Sequence, residues 1–421
     1  MIAAPAEEPL KRDISFFGSA FLSFNGLVGA GIFVLPGTLF DRFGAFSPLL
    51  FPLFGALFLV IAVPFARVTA HFPATGGPVA YAAPFGRFAS FQAGWLYYVA
   101  RVAALAANAT VFATYLSVFW PAAAGGLGRA AAILAMVALT TAINIVGVRR
   151  AVRALDALTL LKAAPLLLLA LWALGLRAPN ISTILPPGDQ LGAAALLILY
   201  AFVGFENSVV AAGETRDPRR TIPRALIGTV IATALLYTLV QAAYVAWMDR
   251  GAGGDAPLVE LAGRVFGPAG AVLLTATVIF SLLGNISGGM TGSTRITYAL
   301  GRDGLAPAWF GRVHARFATP ANSILFMGAL IAALALSGSF VWLAVVSTLA
   351  RMFVYALAIA ALPKLEGGRP FVLSLVIAGI AVCAWAAAQS SAVSWLTLLA
   401  LAASGMPLFA FSRRGKPAQP A

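Results

Sequence analysis

Charge is missing from most of this chain, and that limits what it can fold into. Only 10% of its 421 residues are charged and 61% are hydrophobic, where a water-soluble domain carries about a quarter charged residues. The charges cluster between long apolar runs. A run of about 20 such residues crosses a bilayer as a helix, because hydrocarbon offers the backbone no other hydrogen-bond partner. The spacing predicts twelve spans, near 14–39, 46–69, 88–120, 129–147, 153–176, 192–213, 221–248, 266–300, 321–337, 339–362, 369–387 and 391–412. An all-α polytopic membrane protein is therefore expected, as a single transmembrane domain without long linkers.

The net charge of +14 does not point to nucleic acid. With the N-terminus inside, nineteen of the 28 Lys and Arg fall on the cytoplasmic side, among them Lys11, Arg149, Arg150, Arg153, Arg413 and Arg414. Arg42, Arg129, Arg177, Arg250 and Arg264 fall outside, and four basic residues remain within spans. This positive-inside bias predicts cytoplasmic termini (1–13 and 413–421) and an inner (plasma) membrane location. Cys383 is the one cysteine, and the two histidines, His71 and His314, lie in predicted loops. Neither a disulfide framework nor a metal cluster is expected, and no cofactor is implied. The polar, acidic N-terminus does not read as a cleavable signal peptide.

The first span contains "NGLVGAGIFVLPG", from Asn25 to Gly37, with Gly26, Gly29 and Gly31 near its middle. The sixth is interrupted by "FVGFEN", from Phe202 to Asn207. Each opens a group of five spans, 14–176 and 192–362, and the two groups run in opposite directions; helices eleven and twelve (369–412) are additional. Interrupted helices at matching positions of two inverted halves point to a transporter's substrate site. Unwound backbone near Gly31 offers N–H groups at the positive end of a helix dipole, which suits a carboxylate. Carbonyls around Leu27 and Phe202 offer acceptors to an ammonium group. Close helix packing is the other reading of the glycines.

"GAGIF", "FVGFENSVVAAGETRDPRRTIPRA" and "TGSTRITYALGRDGLAP", in that order, resemble the amino acid–polyamine–organocation (APC) superfamily, and most of all its bacterial amino acid permeases. The resemblance covers essentially the whole chain. It implies a five-plus-five inverted repeat with broken helices 1 and 6, alternating access, and an amino acid or polyamine cargo. Carried over by position, it places Leu27, Gly29, Ala30 and Gly31 against the substrate, with Phe202, Val203, Gly204 and Phe205 in the second break. It makes Tyr200 an aromatic gate and adds Asn108, Asn285 and Ser347 to the lining. Gly289 departs from the bulky aromatic that some arginine antiporters carry there.

Ionisable groups within spans are costly and mark function by default. Lys162, with Asp156 as its nearest charged neighbour in sequence, falls where the resemblance implies a proton carrier, or a fixed cation steadying span one. A snorkelling lysine is the bland reading. Glu206 sits in the second break, either tying down free N–H groups or acting as a pH-sensitive element. Arg101 and Arg295 are expected to reach the interface, and Arg351 to pair with a carbonyl or carboxylate. Thr221 before Pro223 reads as the start of span seven, and Glu214 with Arg219 as a cytoplasmic latch.

An enzyme is disfavoured, because no span holds a carboxylate pair or a histidine. An asymmetric broken-helix site fits occlusion better than conduction, and no GxxxxGK[ST] motif occurs for nucleotide-driven pumping. The expected function is secondary transport of amino acids, coupled to protons and serving neutral substrates. Exchange of cationic amino acids or polyamines is the alternative. The expected partners are the small-molecule substrate, protons and the lipid bilayer, and oligomeric state is left open.

Overall fold

The computed structural model describes residues 12–72, 77–147, 149–251, 254–302, 304 and 306–412. Lys11, the side chains of Arg149, Arg150, Arg153 and Asp156, and the tail with Arg413 and Arg414 lie outside the described residues. Among the described residues every named element is a helix. Its helices are α1 (Phe16–Leu27), α2 (Ala30–Phe43), α3 (Ser47–His71), α4 (Pro78–Tyr81), α5 (Arg87–Leu116), α6 (Gly126–Val146), α7 (Arg149–Leu176) and α8 (Gly188–Tyr200). They continue with α9 (Pro218–Trp247), α10 (Pro257–Arg302), α11 (Ala321–Ser337), α12 (Phe340–Ala360), α13 (Leu362–Glu366), α14 (Pro370–Ala388), α15 (Ala392–Ser404) and α16 (Met406–Ser412). Among the described residues, nine helical stretches are long and apolar enough to cross a membrane. Shorter apolar helices, Phe16–Leu27 and Ala321–Ser337 among them, pack with these. This is a multi-pass membrane protein.

Local chemistry explains where the first helices stop. Ser15 caps α1 by accepting the Gly18 N–H at 3.3 Å. The chain then leaves helical geometry at Val28 and Gly29 and restarts at Ala30. After α8 a short turn ends at Gly204, whose φ of 103° lies in the left-handed region that glycine alone visits without strain. A 3₁₀ helix, Phe205–Glu214, follows. Thr221 is not the start of α9. That helix begins at Pro218, because a proline at the first helical position lacks only an N–H that would be orphaned anyway.

The core is aromatic on one flank of the breaks. Phe58 and Phe65 of α3 pack on Phe205 with centroids 5.1 and 5.4 Å away, and Tyr355 of α12 closes the group at 5.6 Å from Phe205. α3 lies along α9, while α5 is flanked by α12 and α10. Between these layers run α1, α2 and the turn after α8, so both unwound stretches sit deep in the molecule.

At the cytoplasmic ends, as the charge bias orients them, the expected latch is differently paired. Glu214 meets Arg295 at 3.7 Å rather than Arg219. The carboxylate of Glu366 bonds Arg67 and, at 3.1 Å, His71.

Candidate functional site

The two breaks face each other. A Cβ built on Gly31 would lie 3.5 Å from Ala201 Cα and from the Tyr200 ring, so α2 lies in van der Waals contact with the turn after α8. At Gly26 an added Cβ would collide with the Gly204 carbonyl and the Asn207 amide. A small cavity opens beside this contact. From the first break it is lined by Gly26, Leu27, Gly29, Ala30 and Gly31, and from the second by Tyr200, Val203 and Gly204. α5 contributes Arg101, Leu105 and Asn108, α10 contributes Asn285, and α12 contributes Arg351.

A chain of amides holds the first break open. Asn108 Oδ1 accepts the Ala30 N–H at 2.8 Å, capping α2 from another helix because α2 has no cap of its own. The Asn108 amide donates to Asn285 Oδ1 at 2.7 Å, and the Asn285 amide donates to the Asn25 carbonyl, also at 2.7 Å. On the far side of the break, Lys162 Nζ donates to the Asn25 carbonyl at 3.0 Å, to Asn25 Oδ1 at 2.5 Å and to the Val28 carbonyl at 2.8 Å. Lys162 is 2% exposed. Its ammonium therefore does not snorkel; three oxygens hold it against the break.

Some backbone groups remain open. Among the described residues, no hydrogen bond starts from the Gly31 or Ile32 N–H, and none ends on the Phe202 or Val203 carbonyl. The Leu27 carbonyl, expected to be loose, is occupied: it accepts from Tyr237 at 2.8 Å and from the Gly29 N–H at 2.9 Å. Phe202 and Phe205 require a second correction. Their rings point to Phe58, at 5.7 and 5.1 Å, because the turn sends positions 200 and 203 to the cavity and 202 and 205 to the aromatic core. Tyr200 lines the cavity, with its ring edge-on to Phe340 and its hydroxyl 3.5 Å from the Ala104 carbonyl.

Charge gathers on the side of the cavity away from Lys162. Glu206 is fully enclosed: Oε1 receives Arg351 Nε at 3.2 Å, and Oε2 receives the Tyr355 hydroxyl and the Gly204 N–H, each at 2.9 Å. Arg351 also reaches the Ala100 carbonyl and Ser347, so Ser347 serves the arginine rather than the cavity wall. Arg101, expected at the interface, turns inward and is 7% exposed. Its Nη1 donates to Asn207 Oδ1 at 2.6 Å and its Nε to Ser293 at 3.0 Å. A long α5 helix had suggested snorkelling. The amide and hydroxyl placed opposite Arg101 by two other elements give it an inward partner instead. Tyr237 and Arg101 were not legible as site residues; for Arg101 the only signal was an ionisable group within a span.

Residues 14–362 match the family model described as amino acid permease. The chain belongs to the amino acid permease family. Among proteins similar to this family member is an uncharacterized transporter of Mycobacterium tuberculosis, 31% identical over 93% of this chain and 90% of its own length. A methylthioribose transporter of Bacillus subtilis is 27% identical over 98% of this chain and 96% of its own length. A branched-chain amino acid permease of the same species is 28% identical over 79% and 76%. This family member is a transporter of the membrane, and its APC resemblance is that of a member.

Proposed function

We propose that the chain carries an α-amino acid across the inner membrane by alternating access, through twelve spans arranged as a five-plus-five inverted repeat with both termini cytoplasmic. One observation carries the reading. The N–H groups at Gly31 and Ile32 in one break, and the carbonyls at Phe202 and Val203 in the other, have no partner among the described residues, and Gly31 and Val203 line one cavity. An α-amino acid bears a carboxylate and an ammonium on one carbon, and this backbone offers a donor end and an acceptor end for them. Tyr200 closes the outward path over the cargo, with Asn108 and Asn285 holding the break in shape.

Protons drive the cycle in this reading. Lys162 carries the coupling proton: losing it releases the Asn25 and Val28 carbonyls and loosens the first break, so binding and protonation change together. The side chain of the cargo is not cationic, since Arg101 and Arg351 line the cavity and Glu206, the carboxylate beside them, is already paired with Arg351. This sets aside the cationic exchanger.

The test is uptake of radiolabelled amino acids into proteoliposomes with and without an imposed inward proton gradient, for wild type and Lys162→Ala. Gradient-driven accumulation that disappears in Lys162→Ala, with exchange retained, is the expected result. The three oxygens around Nζ also favour a second reading, a permanently charged ammonium that only braces the break. Uptake that ignores pH and needs amino acid inside the vesicle would make the protein an amino acid exchanger in which Lys162 is structural. Movement of no amino acid at all would end the amino acid reading and turn attention to uncharged cargo of the kind for which the methylthioribose transporter is named.

A further inference from the structure

We propose that the cavity contains a subsite for an anionic side chain, built on Arg101, and that the cargo is an acidic amino acid. This rests on reading the breaks as the binding place of an α-amino acid backbone.

Arg101 is more than nine-tenths buried and lines the cavity. Its Nε and Nη1 are engaged by Ser293 and Asn207, both neutral. Among the described residues Nη2 donates to nothing. Gly289 stands beside that free nitrogen: a Cβ built there would lie 3.3 Å from Nη2 and closer still to Leu105. A glycine at this position keeps the guanidinium uncovered, and any larger residue would press on it.

The charges around the cavity do not cancel. Arg101 and Arg351 line it from α5 and α12, Glu206 lies behind Arg351 in the second break, and Lys162 stands behind the first break. Glu206 is the one carboxylate among them, and Arg351, Tyr355 and the Gly204 N–H already fill its oxygens. Arg101 has no carboxylate within ion-pair distance among the described residues; only Glu206, already bound to Arg351, offsets its charge from farther off, an arrangement that is costly in a membrane unless something supplies the counter-charge. A zwitterionic backbone has no net charge to give. A side-chain carboxylate supplies it, and the planar fork of an arginine is suited to grip one.

The experiment is ligand-dependent thermal stabilisation of the purified full chain, titrated with L-glutamate, L-glutamine, L-aspartate, L-asparagine and glutarate. Glutamate and glutamine have the same shape and differ by one charge. Glutamate is expected to act at about 10- to 100-fold lower concentration than glutamine, the worth of a hydrogen bond to a charged group. In Arg101→Gln that ratio should collapse to near one, and Arg101→Lys should keep part of it, since the charge stays while the fork is lost. If glutamine matches or surpasses glutamate in the wild type, the anionic subsite is wrong, whatever the variants do. An undiminished ratio in Arg101→Gln would overturn Arg101 as its ligand. Stabilisation by glutarate alone, lost in Arg101→Gln, would keep the subsite and end the amino acid reading. Amino acid binding without acidic preference would do the reverse. Stabilisation by none of the five would overturn both.

Discussion

Glu206 shows how much one residue decides here. A carboxylate in the middle of a span is costly unless fully paired, and this one is paired with Arg351, Tyr355 and the Gly204 N–H. Glu206→Gln leaves the Arg351 guanidinium without its carboxylate. We expect a loss of about 3–5 kcal/mol, read as a lower unfolding temperature of the purified protein. The double variant Glu206→Gln/Arg351→Gln should recover part of that loss, because it removes the stranded charge; a further loss instead would show that the pair is not the cause. Gly204 is restricted in a different way. Its φ is 103°, and a Cβ there would sit 2.5 Å from the Gly26 carbonyl. Glu206 was readable as important from its place in an apolar run. Arg351, 145 residues away in sequence, was not readable as its partner, since nothing local records a pairing across that separation.

At the scale of elements, α1 and the 3₁₀ stretch Phe205–Glu214 behave as one piece. Ser23 donates to Ser208 at 2.8 Å, Ser19 and Thr215 approach to 3.5 Å, and the Ile14 N–H bonds the Glu214 carbonyl at 3.0 Å. The Arg216 N–H then returns to the Ile14 carbonyl at 2.9 Å, so the entry to α1 pairs like a short strand with the exit of the second break. In alternating access these two half-helices should tilt together. A disulfide between Ser23→Cys and Ser208→Cys, in a Cys383→Ala background, is expected to form under oxidation and leave transport running. Arrest of transport by the cross-link, reversed by reductant, would mean that the two part during the cycle. Both interruptions were visible in the sequence, as glycines within apolar runs. The stitching between them was not, because serines and threonines in apolar helices are as often satisfied by their own helix, as Thr229 is by the Ala225 carbonyl.

For the whole molecule the open quantity is orientation, which the distribution of Lys and Arg predicts with both termini inside. Cys383 is the one cysteine of the chain and is buried, so a single substitution removes the background thiol. On that background Asp249→Cys, in the loop before α10, should react with a membrane-impermeant maleimide on intact cells. Arg312→Cys, in the loop between α10 and α11, should react only after permeabilisation. The opposite pattern would invert the topology and, with it, the direction of the gate proposed for Tyr200.

The sequence by itself determined that this is an all-helical membrane protein, roughly where its helices run, and where two of them break. Those properties follow from local causes: apolar length, glycine, and the need of each backbone group for a partner in hydrocarbon. Only the tertiary structure decided which groups occupy the breaks. Lys162 grips the Asn25 and Val28 carbonyls, Asn108 caps α2 from α5, Phe202 and Phe205 turn to the aromatic core, and Arg101 turns inward beside Gly289. Each of these is a meeting of groups from separate elements. Which face of a helix meets which neighbour is set by packing between helices, and a chain nearly uniform in apolar character carries little periodic signal of it.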